Sequence, residues 1–131
     1  MTRRLLDAGY PLAVYDRTAE KTRGAEHWGA IATLTPKELA SDCQVVMSCV
    51  TNDGAQHDVM FGPDGALAGL HSGSMIIDLS TVSPGASRRL HHAAAQNGVP
   101  MIDAAVSGSV PQVEQGSLVI FVGGEQETYQ L

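Results

Sequence analysis

Four polar segments follow apolar runs in this chain, and each carries groups able to hold a ligand. Asp16 closes the run Leu12-Ala13-Val14-Tyr15 and is followed by Arg17 and Thr18. Thr51 and Asn52 follow Gln44 to Val50, Ser80 and Thr81 follow Met75 to Leu79, and Ser107-Gly108 follows Val99 to Val106. A carboxylate at a strand end can accept hydrogen bonds from both hydroxyls of a ribose. The same charge repels a 2′-phosphate, which Arg17 with Thr18 could hold instead. A solvated Asp-Arg turn is the plainer alternative for that pair.

The sulfur and imidazole groups offer less. Cys43 and Cys49 are the only cysteines, and they flank an apolar run at a spacing that matches no common metal motif. They read as reduced, small core residues. Among the five histidines, His91 and His92 are adjacent in a helical segment, where neighbouring positions point in different directions. No metal site is expected.

With 131 residues, 44% hydrophobic and 17% charged, the chain fits one globular domain with a core of its own. No apolar run reaches the roughly 18 residues of a membrane span. Arg3-Arg4 stands near the start, but Asp7, Gly9 and Pro11 interrupt any signal-peptide core, so a cytoplasmic protein is expected. The net charge is −6 and the eight basic residues form no cluster, which argues against nucleic acid and anionic membranes as partners.

The elements that must position these groups alternate. Thr2 to Ala8 reads as a helix stopped by Gly9. Leu12 to Asp16 reads as a short strand, and Ala19 to His27 as a helix closing at Gly29. After the apolar piece Ala30 to Thr33, Thr35-Pro36-Lys37-Glu38 supplies an N-cap, a first-turn proline and a capping-box glutamate. Gln44 to Val50 is nearly continuously apolar, which predicts a strand buried on both faces. Then come a helix over 53–60, a short helix near Ala66 to Leu70, and a strand at Met75 to Leu79. A helix runs from Ser83-Pro84 to Asn97, strands follow at Val99 to Val106 and Leu118 to Val122, and a last helix starts at Glu125. This alternation predicts an α/β domain with a mainly parallel sheet.

Three segments together go beyond fold class. Val14-Tyr15-Asp16-Arg17-Thr18, Asp78-Leu79-Ser80-Thr81-Val82-Ser83-Pro84 and Asp103-Ala104-Ala105-Val106-Ser107-Gly108-Ser109, with Pro111 and Gly116 beyond, resemble the β-hydroxyacid dehydrogenase family. That family includes 3-hydroxyisobutyrate dehydrogenases and 2-hydroxy-3-oxopropionate reductases, and the resemblance covers nearly the whole chain. It implies a Rossmann-like, doubly wound domain similar to the NADP-binding domain of 6-phosphogluconate dehydrogenase. The implied activity is hydride transfer between NAD or NADP and a small β-hydroxyacid. By the same resemblance, Val50, Thr51 and Asn52 wrap the ribose and adenine side, and Thr81 lies near the nicotinamide. Ser107 and Gly108 anchor the substrate, although Ala105 and Ser109 stand where the family usually has Pro and Gly. Asp16 leans towards NAD, while Arg17 and Thr18 permit NADP.

Such folds open with a strand and a Gly-x-Gly-x-x-Gly turn, whose backbone cradles the pyrophosphate at a helix N-terminus. No glycines of this chain have that spacing. Residues 1–131 are therefore expected to be an incomplete dinucleotide-binding domain without its first strand and phosphate loop. In a 3-2-1-4-5-6 order, that would leave a gap of roughly 9–10 Å between the strands at Leu12 and Gln44. The family's general acid/base is a lysine of a second, all-helical domain. Only Lys21 and Lys37 occur here, both expected to face away from the site. That domain is expected to be absent, with no catalytic residue in this chain, no turnover by the chain alone, and oligomers only where that domain is present. Two alternatives stand beside this reading: a non-catalytic α/β module that keeps only the scaffold, and an unrelated flavodoxin-like domain. The second lacks the anion-binding loop it would need.

Overall fold

The computed structural model describes all 131 residues. Seven helices and six strands alternate: α1 (Thr2–Asp7), β1 (Ala13–Val14), α2 (Ala19–His27), β2 (Ile31–Ala32), α3 (Pro36–Ser41), β3 (Val45–Ser48), α4 (Asp53–Phe61), β4 (Met75–Asp78), α5 (Pro84–Gln96), β5 (Met101–Ser107), α6 (Val110–Gln115), β6 (Val119–Gly123) and α7 (Gln126–Tyr129). A 3-10 turn at Ala66–Ala68 lies between α4 and β4.

The helix starts are set by their capping residues. Thr35 Oγ1 accepts from the Glu38 amide at 3.0 Å, and Glu38 Oε2 accepts in return from the Leu34 amide at 2.8 Å. Asn52 caps α4 through Ala55 N (2.9 Å), and Ser83 caps α5 through Ala86 N (3.2 Å). Each side chain satisfies an amide that has no partner within its helix.

The strands form two sheets. β1 and β2 pair in parallel, with Ala13 opposite Ile31 and Val14 opposite Ala32. The other four run in the order β3-β4-β5-β6, parallel except for the antiparallel β6. No strand lies between β1 and β3, and the two sheets share no ladder. The core sits on one face of the larger sheet. There Val46, Ile76 and Met101 meet Ala40, Met60, Leu90 and Ala94. Along α5, Ala86, Leu90 and Ala94 recur every fourth residue and face the sheet, the small alanines letting the helix sit close.

Three sequence expectations need correction. The β3 run is buried on one face only: Val46 and Ser48 are covered, whereas Val45 and Met47 are 47% and 43% exposed. β1 is two residues long, because pairing with β2 ends at Val14. The helix α6 was not expected at all, though Ser109, Pro111 and Gly116 are a usable start and stop.

Candidate functional site

The carboxyl end of β1 and that of β3 face a shared cleft of about 490 Å³. That volume is in the range of small-molecule sites. One wall carries Asp16, Arg17, Thr18 and Lys21; the other carries Cys49, Val50 and Thr51; Pro36, Leu39 and Ala66 line the apolar side. Five of the residues singled out in the sequence (Asp16, Arg17, Thr18, Val50 and Thr51) therefore meet in one place.

Asp16 is held by its own turn. Its Oδ1 accepts from the Thr18 amide at 2.8 Å, and its Oδ2 lies 3.6 Å from Lys21 Nζ. Lys21, expected to face away, in fact lies on the cleft wall beside the acid, because α2 starts directly after the turn and its first turn points back. Such an exposed pair is worth little in stability. It does put an ammonium beside Asp16 on the wall that also carries Arg17, so the wall combines a carboxylate acceptor with two cations.

The strand register sets the rest of the rim. Ser48, Asp78 and Asp103 lie side by side across β3, β4 and β5. Thr81 is exposed three residues beyond Asp78, and Ser107 is exposed four residues beyond Asp103, about 13 Å further along. Asn52 is committed to capping α4 and lies outside the cleft lining, as do Thr81, Ser107 and Gly108. Gly108 has φ +138°, and a Cβ there would meet Leu118 Cδ2 at 2.7 Å and Gln112 Cβ at 3.2 Å, so only glycine fits. Ser109 donates its hydroxyl to Gln112 Oε1 (2.6 Å) at the start of α6.

Sequence reading missed three features here. Lys21 is one. Another is a buried hydrogen-bond cluster around Asp78, which takes in Gln56 from α4. The third is Asp53, whose two carboxylate oxygens accept from Ser83 N (2.8 Å) and Ser83 Oγ (2.5 Å). Those two bonds hold its carboxyl below the usual aspartate range, the side-chain bond contributing most. The spacing of these residues carries no signal, since only the pairing of β3 with β4 brings them together.

Cys49 is a correction too. Rather than a core residue, it is exposed on the cleft and unpaired. Desolvation of its sulfur pushes the thiol up from its ordinary value, and the negative charge of Asp78 pushes it further. Alkylation of Cys49 should therefore be slow at neutral pH despite its exposure, since the thiolate is the nucleophile. Its rate should keep rising beyond the pH at which an ordinary cysteine has saturated. A rate profile against iodoacetamide, read by mass spectrometry at that peptide, checks this; a plateau at the ordinary position would contradict it.

The donor set fits the adenosine half of a nicotinamide dinucleotide: a ribose acceptor, two cations for a phosphate, and an apolar floor. The diphosphate half finds no glycine-rich cradle among these residues.

The family model described as the NAD binding domain of 6-phosphogluconate dehydrogenase matches residues 1–131. The probable 3-hydroxyisobutyrate dehydrogenase-like 3, mitochondrial, of Arabidopsis thaliana is 35% identical over 127 residues, covering 97% of this chain and 40% of its own length. The cytokine-like nuclear factor N-PAC of Xenopus tropicalis is also 35% identical, over 126 residues, covering 96% of this chain and 24% of its own. Among solved structures, Psf3 in complex with NADP+ and 2-OPP superposes with a TM-score of 0.92 at 35% identity, covering 98% of this chain and 46% of that one. The chain thus spans less than half the length of each of these relatives. No helix is long and apolar enough to cross a membrane.

Proposed function

Because this chain belongs to the family of the NAD-binding domain of 6-phosphogluconate dehydrogenase, we propose that it holds the adenosine half of NAD or NADP in the cleft between β1 and β3, as the nucleotide-binding part of an oxidoreductase acting on a small β-hydroxyacid. The observation that supports this most is the meeting of Asp16, Arg17 and Thr18 with Val50 and Thr51 across one cleft. When bound, the cofactor supplies a nicotinamide ring that accepts or delivers hydride. Asp16 keeps free lone pairs for ribose hydroxyls, because the Thr18 amide occupies only one of them. Thr81 stands on the nicotinamide side, and Ser107 with the Gly108 backbone takes the acid. The proton-handling group comes from a second, helical domain. Free cysteines agree with work in the cytoplasm.

Cofactor preference follows from two opposed charges. Asp16 repels a 2′-phosphate, whereas Arg17 and Lys21 attract one, so a modest preference for NAD is expected with NADP still admitted. Calorimetric titration with both cofactors tests this. Asp16→Asn should move the affinity ratio towards NADP by about tenfold, or ~1.4 kcal/mol, and Arg17→Ala should move it back. If Asp16→Asn left the ratio unchanged, the assignment of this strand end would be wrong.

One observation favours a second reading, a module that keeps the scaffold without catalysis. A relative named as a nuclear factor matches this chain at the same 35% identity as one named as a dehydrogenase. Under that reading neither dinucleotide should raise the thermal midpoint, whereas a binding domain gains stability with ligand concentration.

A further inference from the structure

The loops after β3 and β4 are joined at two levels. The inner link begins at Asp78, a carboxylate only 1% exposed. Its Oδ1 accepts from Ser48 Oγ at 2.7 Å and from the Ser80 amide at 3.1 Å, and its Oδ2 accepts from Gln56 Nε2 at 2.5 Å. None of the ion pairs in the structure involves Asp78. Burying a carboxylate without a cation is costly, and it is tolerated only where donors fill its lone pairs. These three do so.

The Ser80 amide, tied to Asp78, turns the backbone so that Ser80 Oγ faces the neighbouring loop. There it accepts from Val50 N at 3.0 Å, a bond between residues 30 apart in the chain. The outer link is the pair of bonds from Ser83 to Asp53, which also spans 30 residues. The two links are thus Val50 with Ser80 and Asp53 with Ser83, with the same offset on both loops. Thr51 and Asn52 lie between the links on one loop, and Thr81 and Val82 on the other.

We propose that Ser80, held by Asp78, is a positioning residue that locks the β3 and β4 loops together, so that they meet the dinucleotide as one surface. The dinucleotide clause rests on the function proposed above; the locking does not. Neither Asp78 nor Ser80 lines the cleft, so each acts through the loop backbone and not by touching the ligand.

Amide exchange, thermal unfolding and titration with NADP+, all on residues 1–131, test this together. Ser80→Ala removes the acceptor for Val50 N and should speed exchange at the Val50 amide by about tenfold. It should weaken NADP+ binding by about fivefold, with Ser80→Thr restoring both through its retained hydroxyl. Ser74→Ala is the control: it deletes a buried hydroxyl at the entry to β4 that touches neither Asp78 nor the cleft. It should leave Val50 exchange and NADP+ affinity unchanged. Unaltered Val50 exchange in Ser80→Ala, or the same changes in Ser74→Ala, would overturn the proposal. If NADP+ binds neither parent nor variants, the nucleotide reading fails while the exchange result still decides whether the loops are locked.

Discussion

Residues 1–131 extended at the N-terminus by an apolar strand and a glycine-containing turn should unfold at a clearly higher urea concentration than residues 1–131 alone. The geometry is favourable because α1 already leads into β1. A strand placed before α1 would make a strand–helix–strand unit with β1, and such crossovers are right-handed and pack back on the sheet. β1 and β3 each have a vacant ladder edge where the two sheets fail to join. Five apolar side chains buried there contribute on the order of 10 kcal/mol. Ordering the strand and turn costs about 1–2 kcal/mol per residue, which by itself offsets that gain, so the net rise comes from the ladder hydrogen bonds made to both open edges, about 1 kcal/mol each. With slopes of roughly 1–3 kcal/mol per molar urea, the midpoint should rise by about 1 M or more. An unchanged midpoint would mean that the open edges of β1 and β3 are not the weak part of the fold.

Gly69→Ala should cost about 3 kcal/mol, at the upper end of what overpacking usually does. Gly69 has an ordinary φ of −103°, so its freedom of conformation is not the issue. A Cβ there would run into the backbone carbonyl oxygen of Lys37 and sit 3.2 Å from the Ala40 Cβ. Backbone cannot swing aside as a flexible side chain can. The turn carrying Gly69 would have to move off α3, and both contribute to the cleft through Pro36, Leu39 and Ala66. A loss of about 10 °C in thermal midpoint is expected for a domain of this size. Gly24→Ala makes the contrast, since nothing lies within 4 Å of its Cβ position in the middle of α2. That change should stabilise by roughly 0.5–1 kcal/mol. Equal effects of the two substitutions would refute the packing argument.

Much of the architecture was legible in the chain because its signals are local. Thr35-Pro36-Lys37-Glu38 places a helix start by chemistry confined to four residues, and α3 begins at Pro36. Asp16 with Arg17 and Thr18 is equally local, and it lies on the cleft. What depends on partners far along the chain was not legible. The exposure of Val45 and Met47 reflects what covers the sheet, which no feature of the run itself reports. Lys21 was misplaced because its direction depends on where the first turn of α2 begins. The cluster of Ser48, Gln56, Asp78 and Ser80 needs the β3–β4 register before it exists. Missing α6 was different in kind. Its cap residues are local, but the small residues Ser107 to Ser109 simply read as a loop.

The order of the larger sheet also bears on how the molecule assembles. Each of its strands pairs with the next one in the chain, and Ser48 finds Asp78 only 30 residues later. Closing loops of that length is entropically mild, and sheets built from near neighbours form faster than those that join distant segments. On the ribosome, β1 and β2 are complete before β3 emerges, and β3 to β6 then add one at a time in the order of synthesis. Nothing made early has to wait for a strand made late. How the small β1–β2 unit meets β3 is thus the one step that does not follow from strand pairing.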